Sequence, residues 1–115
     1  MGAVIMSNQE VLAKTLKGML DIIILKMLND KPMHGYAFIS IIRKRFGVYF
    51  GPSTIYPLLA GLVREGYVVC EWKTVGEYGR PIKVYTITER GRRFLEERER
   101  GLMIVVQPLI SVREQ

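Results

Sequence analysis

Cysteine occurs once in the 115 residues, at Cys70, and histidine once, at His34. A single thiol excludes an internal disulfide framework and suits a reducing compartment. One thiol and one imidazole, far apart in sequence, do not make a metal-ligand set, so no metal or cofactor is expected. Long hydrophobic runs are scarce as well. MLDIIILKML (19–28) and GLMIVVQPLI (101–110) are too short or too interrupted to span a bilayer. The opening MGAVIMS lacks a basic n-region and a usable h-region, and it has no Ser or Thr at position 6 for myristoylation. These absences lead us to expect a soluble cytoplasmic protein without membrane contact. Catalytic patterns are missing too. There is no phosphate-cradling glycine motif and no nucleophile–base pair, and the clustered Glu96, Glu97 and Glu99 alternate with arginines as on a solvated helix. The chain reads as non-enzymatic.

What is present is a hydrophobic fraction of 49% with both charge signs, the composition of a single folded domain with a modest core. The net charge is +6, and the pI is 9.7. Residues 1–88 carry 11 Lys and Arg against 6 Asp and Glu, whereas residues 89–115 carry 6 against 5. The basic surplus therefore belongs to the first part of the chain. Such a surplus suits nucleic acid, and it also suits an anionic membrane surface.

Ser7 and Glu10 have capping-box spacing, so a first helix is expected to begin there, with Gly18 weakening its middle. Residues 19–28 are apolar on nearly every side, which predicts packing against the chain's own domain and against a second chain. Asp30-Lys31-Pro32 ends that segment. A second helix spans Gly35–Phe46, with Phe38, Ile39, Ile42 and Phe46 inward, basic residues in its last turn and Gly47 as its stop. In FGPSTIYPLLAGLVREG (50–66), Ile55, Leu58, Leu59, Leu62 and Val63 form a helical stripe. Pro57 is tolerable if Ser53 or Thr54 is the N-cap, which puts it at the third or fourth helical position. Residues 67–74 and 82–88 read as strands around the loop VGEYGRP, with Cys70 and Trp72 on the face of Val68 and packing inward. Thr88 caps a last helix that Gly101 and Pro108 are expected to bend or break. The predicted fold is mainly α with a small β-hairpin, a winged helix-turn-helix plus a C-terminal helix. Residues 1–88 would form the winged-helix unit and residues 89–115 the added helix.

The third helix presents Tyr56, Pro57, Ala60, Gly61 and Arg64 opposite its leucines. That face is either ordinary solvated surface or a groove-facing one. Small Ala60 and Gly61 allow close approach, Ser53, Thr54 and Tyr56 stand at the helix mouth, and Arg64 can neutralise a phosphate. Arg43, Lys44 and Arg45 are either an ordinary basic helix end or flank a DNA backbone. Tyr78, Gly79, Arg80 and Lys83 lie in or beside the hairpin tip, where a wing reaches phosphates. His34 is read as anchoring the second helix, through a hydrogen bond or a phosphate contact.

PMHGYAFISII, PSTIYPLLAGLVREGYV and GRPIKVYTITERG, in that order, resemble the PadR family of transcriptional regulators across roughly residues 16–95. The matching elements are His34-Gly35-Tyr36, Tyr56-Pro57 and Gly79-Arg80-Pro81 with Tyr85, Ile87, Thr88 and Gly91. Ala37, Ser53 and Val63 depart from the family pattern. The resemblance implies a winged-helix homodimer that binds double-stranded DNA, acts as a repressor, and responds to a small aromatic ligand or another cellular cue. It also implies that the last helix joins the first at the dimer interface. Leu16, Leu20, Ile23, Ile24, Leu95, Leu102, Met103 and Val106 are the candidates for that seam or for an effector pocket. The competing expectation is a winged-helix module that docks a protein partner and not DNA.

Overall fold

The computed structural model describes residues 7–74 and 76–111. The opening hexapeptide, Val75 and the last four residues of the 89–115 segment lie outside the described residues. Ser7 caps the first helix: its Oγ accepts the Glu10 N–H at 3.1 Å and donates to Glu10 Oε1 at 3.2 Å. Helix α1 (Asn8–Lys17) ends at Gly18, and α2 (Leu20–Asp30) follows after a tight turn. Lys31 is fully extended before Pro32, as a residue preceding proline prefers, and α2 ends there. The chain then passes through β1 (Met33–His34) into α3 (Gly35–Phe46), which Gly47 terminates with φ +70°. Helix α4 (Pro52–Arg64), strands β2 (Val68–Thr74) and β3 (Pro81–Ile87), and helix α5 (Glu89–Ser111) complete the order.

The sheet is antiparallel with order β1-β3-β2. Met33 pairs with Tyr85 on one side of β3, and Cys70 pairs with Tyr85 on the other. Strand β1 was not expected, because two residues show no alternation; their extended form comes from pairing with a strand about fifty residues away. The core gathers Leu20, Ile24, Leu25 and Leu28 of α2, Phe38, Ile39 and Ile42 of α3, and Ile55, Leu59 and Leu62 of α4, closed by Val68, Tyr85 and Ile87. Phe38 meets Tyr85 edge-on, with ring centroids 6.4 Å apart. Val63, at the edge of the α4 stripe, is exposed.

Four expectations about local structure are corrected. Gly18 does not sit in the middle of one helix but ends α1, with the Met19 N–H turning back onto the Leu16 carbonyl at 2.8 Å, so the expected first helix is two. Helix α4 begins at Gly51, not Ser53 or Thr54, because Pro52 presets φ for the first helical position and the N–H groups of Thr54 and Ile55 both close onto the Gly51 carbonyl at 3.0 Å. Pro57 is therefore the sixth helical residue, and its missing N–H releases the carbonyl of Ser53. Helix α5 runs unbroken through Gly101 and Pro108. Pro108 strips a donor from Ile104, which is 72% exposed, so water can serve that carbonyl. Finally, Trp72 does not pack inward. The hairpin face that is core at Val68 and half-buried at Cys70 has run past the helices by Trp72, which is 66% exposed.

Thr88 starts α5 as its pattern suggests, accepting the Gly91 N–H at 3.0 Å and donating to the Gly66 carbonyl at 2.7 Å. The molecule extends 61 × 33 × 21 Å. Its long dimension suits the 23-residue α5, which is about 34 Å long at about 1.5 Å per residue.

Candidate nucleic-acid interface

Gly35 sets the position of the first aromatic group. A β-carbon there would come within 2.5 Å of Tyr56 Cε1, so the absence of a side chain lets the Tyr56 ring lie over the start of α3. The His-Gly-Tyr and Tyr-Pro elements, twenty residues apart, therefore interlock. His34 is the N-cap residue of α3, but its side chain makes no capping hydrogen bond; the imidazole is exposed. The hydrogen-bond form of its anchoring role is thus absent.

Across from Tyr56 stands the overhanging part of the hairpin. Trp72 and Lys83 are directly paired residues of β2 and β3, and the Lys83 ammonium lies 5.3 Å from the indole centroid. Together with His34, Tyr36 and Tyr56 they line a cleft of about 330 Å³ between the helices and the wing. Tyr36 also lines a second cleft, of about 390 Å³, with Arg43, Lys44 and Tyr49. The Arg43 guanidinium sits 5.9 Å above the Tyr49 ring. Tyr36 therefore links the two clefts into one tract running from the wing, past the mouth of α4, to the basic end of α3.

The remaining candidates lie around this tract. Ser53 is exposed and Thr54 half-buried at the start of α4. Pro52 has no N–H, and Thr54 and Ile55 use theirs on Gly51, so fewer backbone donors face outward at this helix mouth than a four-donor helix start offers. Tyr78 and Arg80 are exposed near the hairpin tip, with Gly79 half-buried between them. Arg64 stands apart at the far end of α4, close to Gly61. Arg45 departs from its basic neighbours and lines a different cleft, between α2 and α3, with Lys26 and Lys31. Sequence reasoning missed Trp72 and Tyr49. Counting strand register back from the loop, which puts Trp72 opposite Lys83 and close to the tip, is the signal that would have found the first.

Among the described residues, the ion pairs involve Lys26, Arg92, Arg93 and Arg98, all on α2 and α5. Arg43, Lys44, Arg64, Arg80 and Lys83 have no such partner among the described residues, so their charge is available to an anionic ligand. No cluster of three or more metal-ligating side chains occurs among the described residues. No described helix is long and apolar enough to cross a membrane.

The seam candidates divide by burial. Leu16, Leu20, Ile24 and Leu95 are buried within the chain's own core. Ile23, Leu102 and Val106 are half-buried, and Met103 is exposed.

Helices α2, α3 and α4, a short strand and a β-hairpin in this arrangement make a winged helix-turn-helix, preceded by α1 and followed by the added C-terminal helix α5. Residues 24–97 match the transcriptional regulator PadR-like family. The chain belongs to that family and is a transcriptional regulator of the PadR type. It is 37% identical over 79 residues to transcriptional regulator Rv3488 of Mycobacterium tuberculosis, covering 69% of this chain and 71% of that one. Among solved structures it resembles TA0346 of Thermoplasma acidophilum, with 30% identity, a TM-score of 0.73, and 89% and 97% of the two chains covered. A PadR family transcriptional regulator of Eggerthella lenta superposes with a TM-score of 0.79 at 26% identity, covering 92% and 91%.

Proposed function

We propose that the chain binds double-stranded DNA as a homodimer, with the start of α4 entering the major groove and the hairpin wing on the flanking backbone, and that it acts as a repressor. The observation that carries this reading is the tract of Lys83, Tyr56, Tyr36, Arg43 and Lys44, whose cations have no carboxylate partner among the described residues. Ser53, Thr54 and Tyr56 would position the helix, Arg64 and Arg80 would meet phosphates, and His34, Tyr78 and Gly79 would border the backbone. Only Arg64 charges the outer face of α4, so affinity would come mainly from the wing and from α3.

Support for the dimer lies in the exposed apolar end of α5, where Met103, Val105, Leu109 and Ile110 are uncovered in the single chain. Two-fold symmetry would put two α4 helices in successive major grooves about 34 Å apart, on a near-palindromic site. Repression then follows from occupancy of a promoter. For an effector, a cleft of about 490 Å³ between α2 and α3, floored by Ile23, Met27 and Phe46, has room for a small aromatic molecule.

Selection from random duplex DNA should enrich a two-fold symmetric motif. Against the selected duplex, Arg80→Ala and Lys83→Ala should weaken binding to all sequences alike, and each should reduce the salt slope by about one. Wild-type affinity that does not change with salt would sink the electrostatic basis of the reading. Enrichment of no motif, together with recovery of one stoichiometric protein, would favour the protein-docking alternative.

A further inference from the structure

Trp72 is the only tryptophan of the chain, and it stands two-thirds exposed. Its place follows from the register of the hairpin. Val68 and Ile87 form a buried pair, Cys70 and Tyr85 a half-buried to buried one, and Trp72 and Lys83 the next pair outward on the same face. That face leaves the core at Trp72 and looks across the cleft at Tyr56 and His34. An indole with a lysine ammonium over its ring combines a flat apolar surface with a positive charge in one place. A deoxyribose ring with its attached phosphate has the complementary pair of properties, an apolar sugar face and an adjacent negative oxygen.

From this juxtaposition we infer that Trp72 is a DNA-contacting residue, its indole packing on a backbone sugar while Lys83 meets the neighbouring phosphate in the cleft between the start of α4 and the wing. The inference rests on the DNA-binding reading above and adds to it a contact that is apolar, not ionic. Burial of an indole against sugar releases no counterions, so its contribution should not vary with salt as that of Lys83 does. Tryptophan also offers a large rigid contact area with few rotatable bonds to order, the reason it recurs among the strongest contacts of interfaces.

The experiment uses the full chain and a duplex selected as above. Binding should alter the intrinsic fluorescence of Trp72, which no other indole obscures. Trp72→Ala should weaken binding at least tenfold with an unchanged salt slope and an unchanged melting temperature, since so exposed a side chain supports little of the fold. Trp72→Phe should recover part of the affinity, while Lys83→Ala lowers the slope. If wild type binds the duplex but Trp72→Ala binds within twofold of it and the emission does not respond, the inference fails while DNA binding stands. If the slope falls in Trp72→Ala as it does in Lys83→Ala, the indole acts only by placing the lysine, and the inference fails. If no duplex is enriched, or Trp72 emission responds to a partner protein and to no duplex, the DNA-binding reading fails and takes this inference with it.

Discussion

The two halves of α5 invert the usual link between composition and burial. Residues 89–101, ERGRRFLEERERG, are overwhelmingly polar, yet they are the half tied to the rest of the chain. Leu95 is buried, Phe94 stacks on Tyr67 with centroids 4.0 Å apart, and Arg98 and Glu99 reach Asp21 and Lys26 on α2. Residues 102–111, LMIVVQPLIS, are overwhelmingly apolar, and most of their side chains are exposed. Leu102, Val105, Val106 and Leu109 continue the Leu95 stripe at helical spacing, so one face extends beyond the edge of the domain. A polar helix can thus be anchored by a few well-placed contacts, whereas a strongly apolar one stays bare unless another surface arrives. Apolarity here is what supports the proposed contact with a second chain.

The largest effect should come from breaking the anchored half at its root. A β-carbon on Gly91 would collide with the Tyr67 carbonyl and come within 2.8 Å of Ile87 Cγ1. The Tyr67 carbonyl is itself held by the Thr88 N–H at 3.0 Å, so it cannot withdraw freely. Gly91→Ala should therefore remove about 3 kcal/mol of stability, roughly 10 °C or more in Tm by calorimetry. An unchanged Tm would mean that α5 is not seated as described. The bare half should respond in the opposite way. Leu109→Asp should leave the stability of the monomer unchanged but weaken self-association by about 2 kcal/mol, roughly thirtyfold. Sedimentation would read this as a shift towards 13.2 kDa. A wild type that already sediments at that mass at micromolar concentration would remove the proposed dimer.

The same contrast explains how much of this molecule was legible in its sequence. Ile55, Leu59 and Leu62 announce α4 because their spacing is a local property, and all three are buried. Ser7, Gly47 and Thr88 act as caps because capping involves only near neighbours. Trp72 was misread because its strand alternation is correct and only the position of the domain edge decides whether its face is core or overhang. Leu16 and Leu20 are buried within the chain, and Leu109 is not, although each is an apolar residue at helical spacing. The start of α4 was a contest between the hydroxyl caps Ser53 and Thr54 and the Gly51-Pro52 pair, which proline settled through its fixed φ. Of the proposed interface, the basic residues and Tyr56 were candidates on the sequence alone. The link through Tyr36 to Tyr49, and the cleft that Trp72 and Lys83 share with Tyr56, needed the three-dimensional arrangement.

The smallest effects separate the two ion pairs that hold the polar half of α5 to α2. Arg98 grips Asp21 through two hydrogen bonds, Nε to Oδ2 at 2.8 Å and Nη2 to Oδ1 at 3.0 Å, and also donates to the Gly18 carbonyl at 3.2 Å. The hydrogen bond to Asp21 raises the Arg98 pKa above its ordinary value, burial works against it, and the Asp21 charge adds to the rise. A raised folded-state pKa contributes stability that is complete below the unfolded value and lost only as pH climbs past the folded one. For an arginine that window lies in strong alkali, so the Arg98 protonation equilibrium should add no pH dependence between about pH 6 and 9. Asp21→Ala should lower stability by about 1 kcal/mol, the lower end for a charge-assisted pair because both side chains keep some solvent contact. Lys26 and Glu99 make a single contact of 2.9 Å with the lysine side chain 62% exposed. Lys26→Ala should therefore change stability by no more than about 0.5 kcal/mol, and less in high salt. Urea melts of both variants at low and high salt would check the ranking. Equal losses would show that the forked geometry of Arg98 adds nothing beyond its charge.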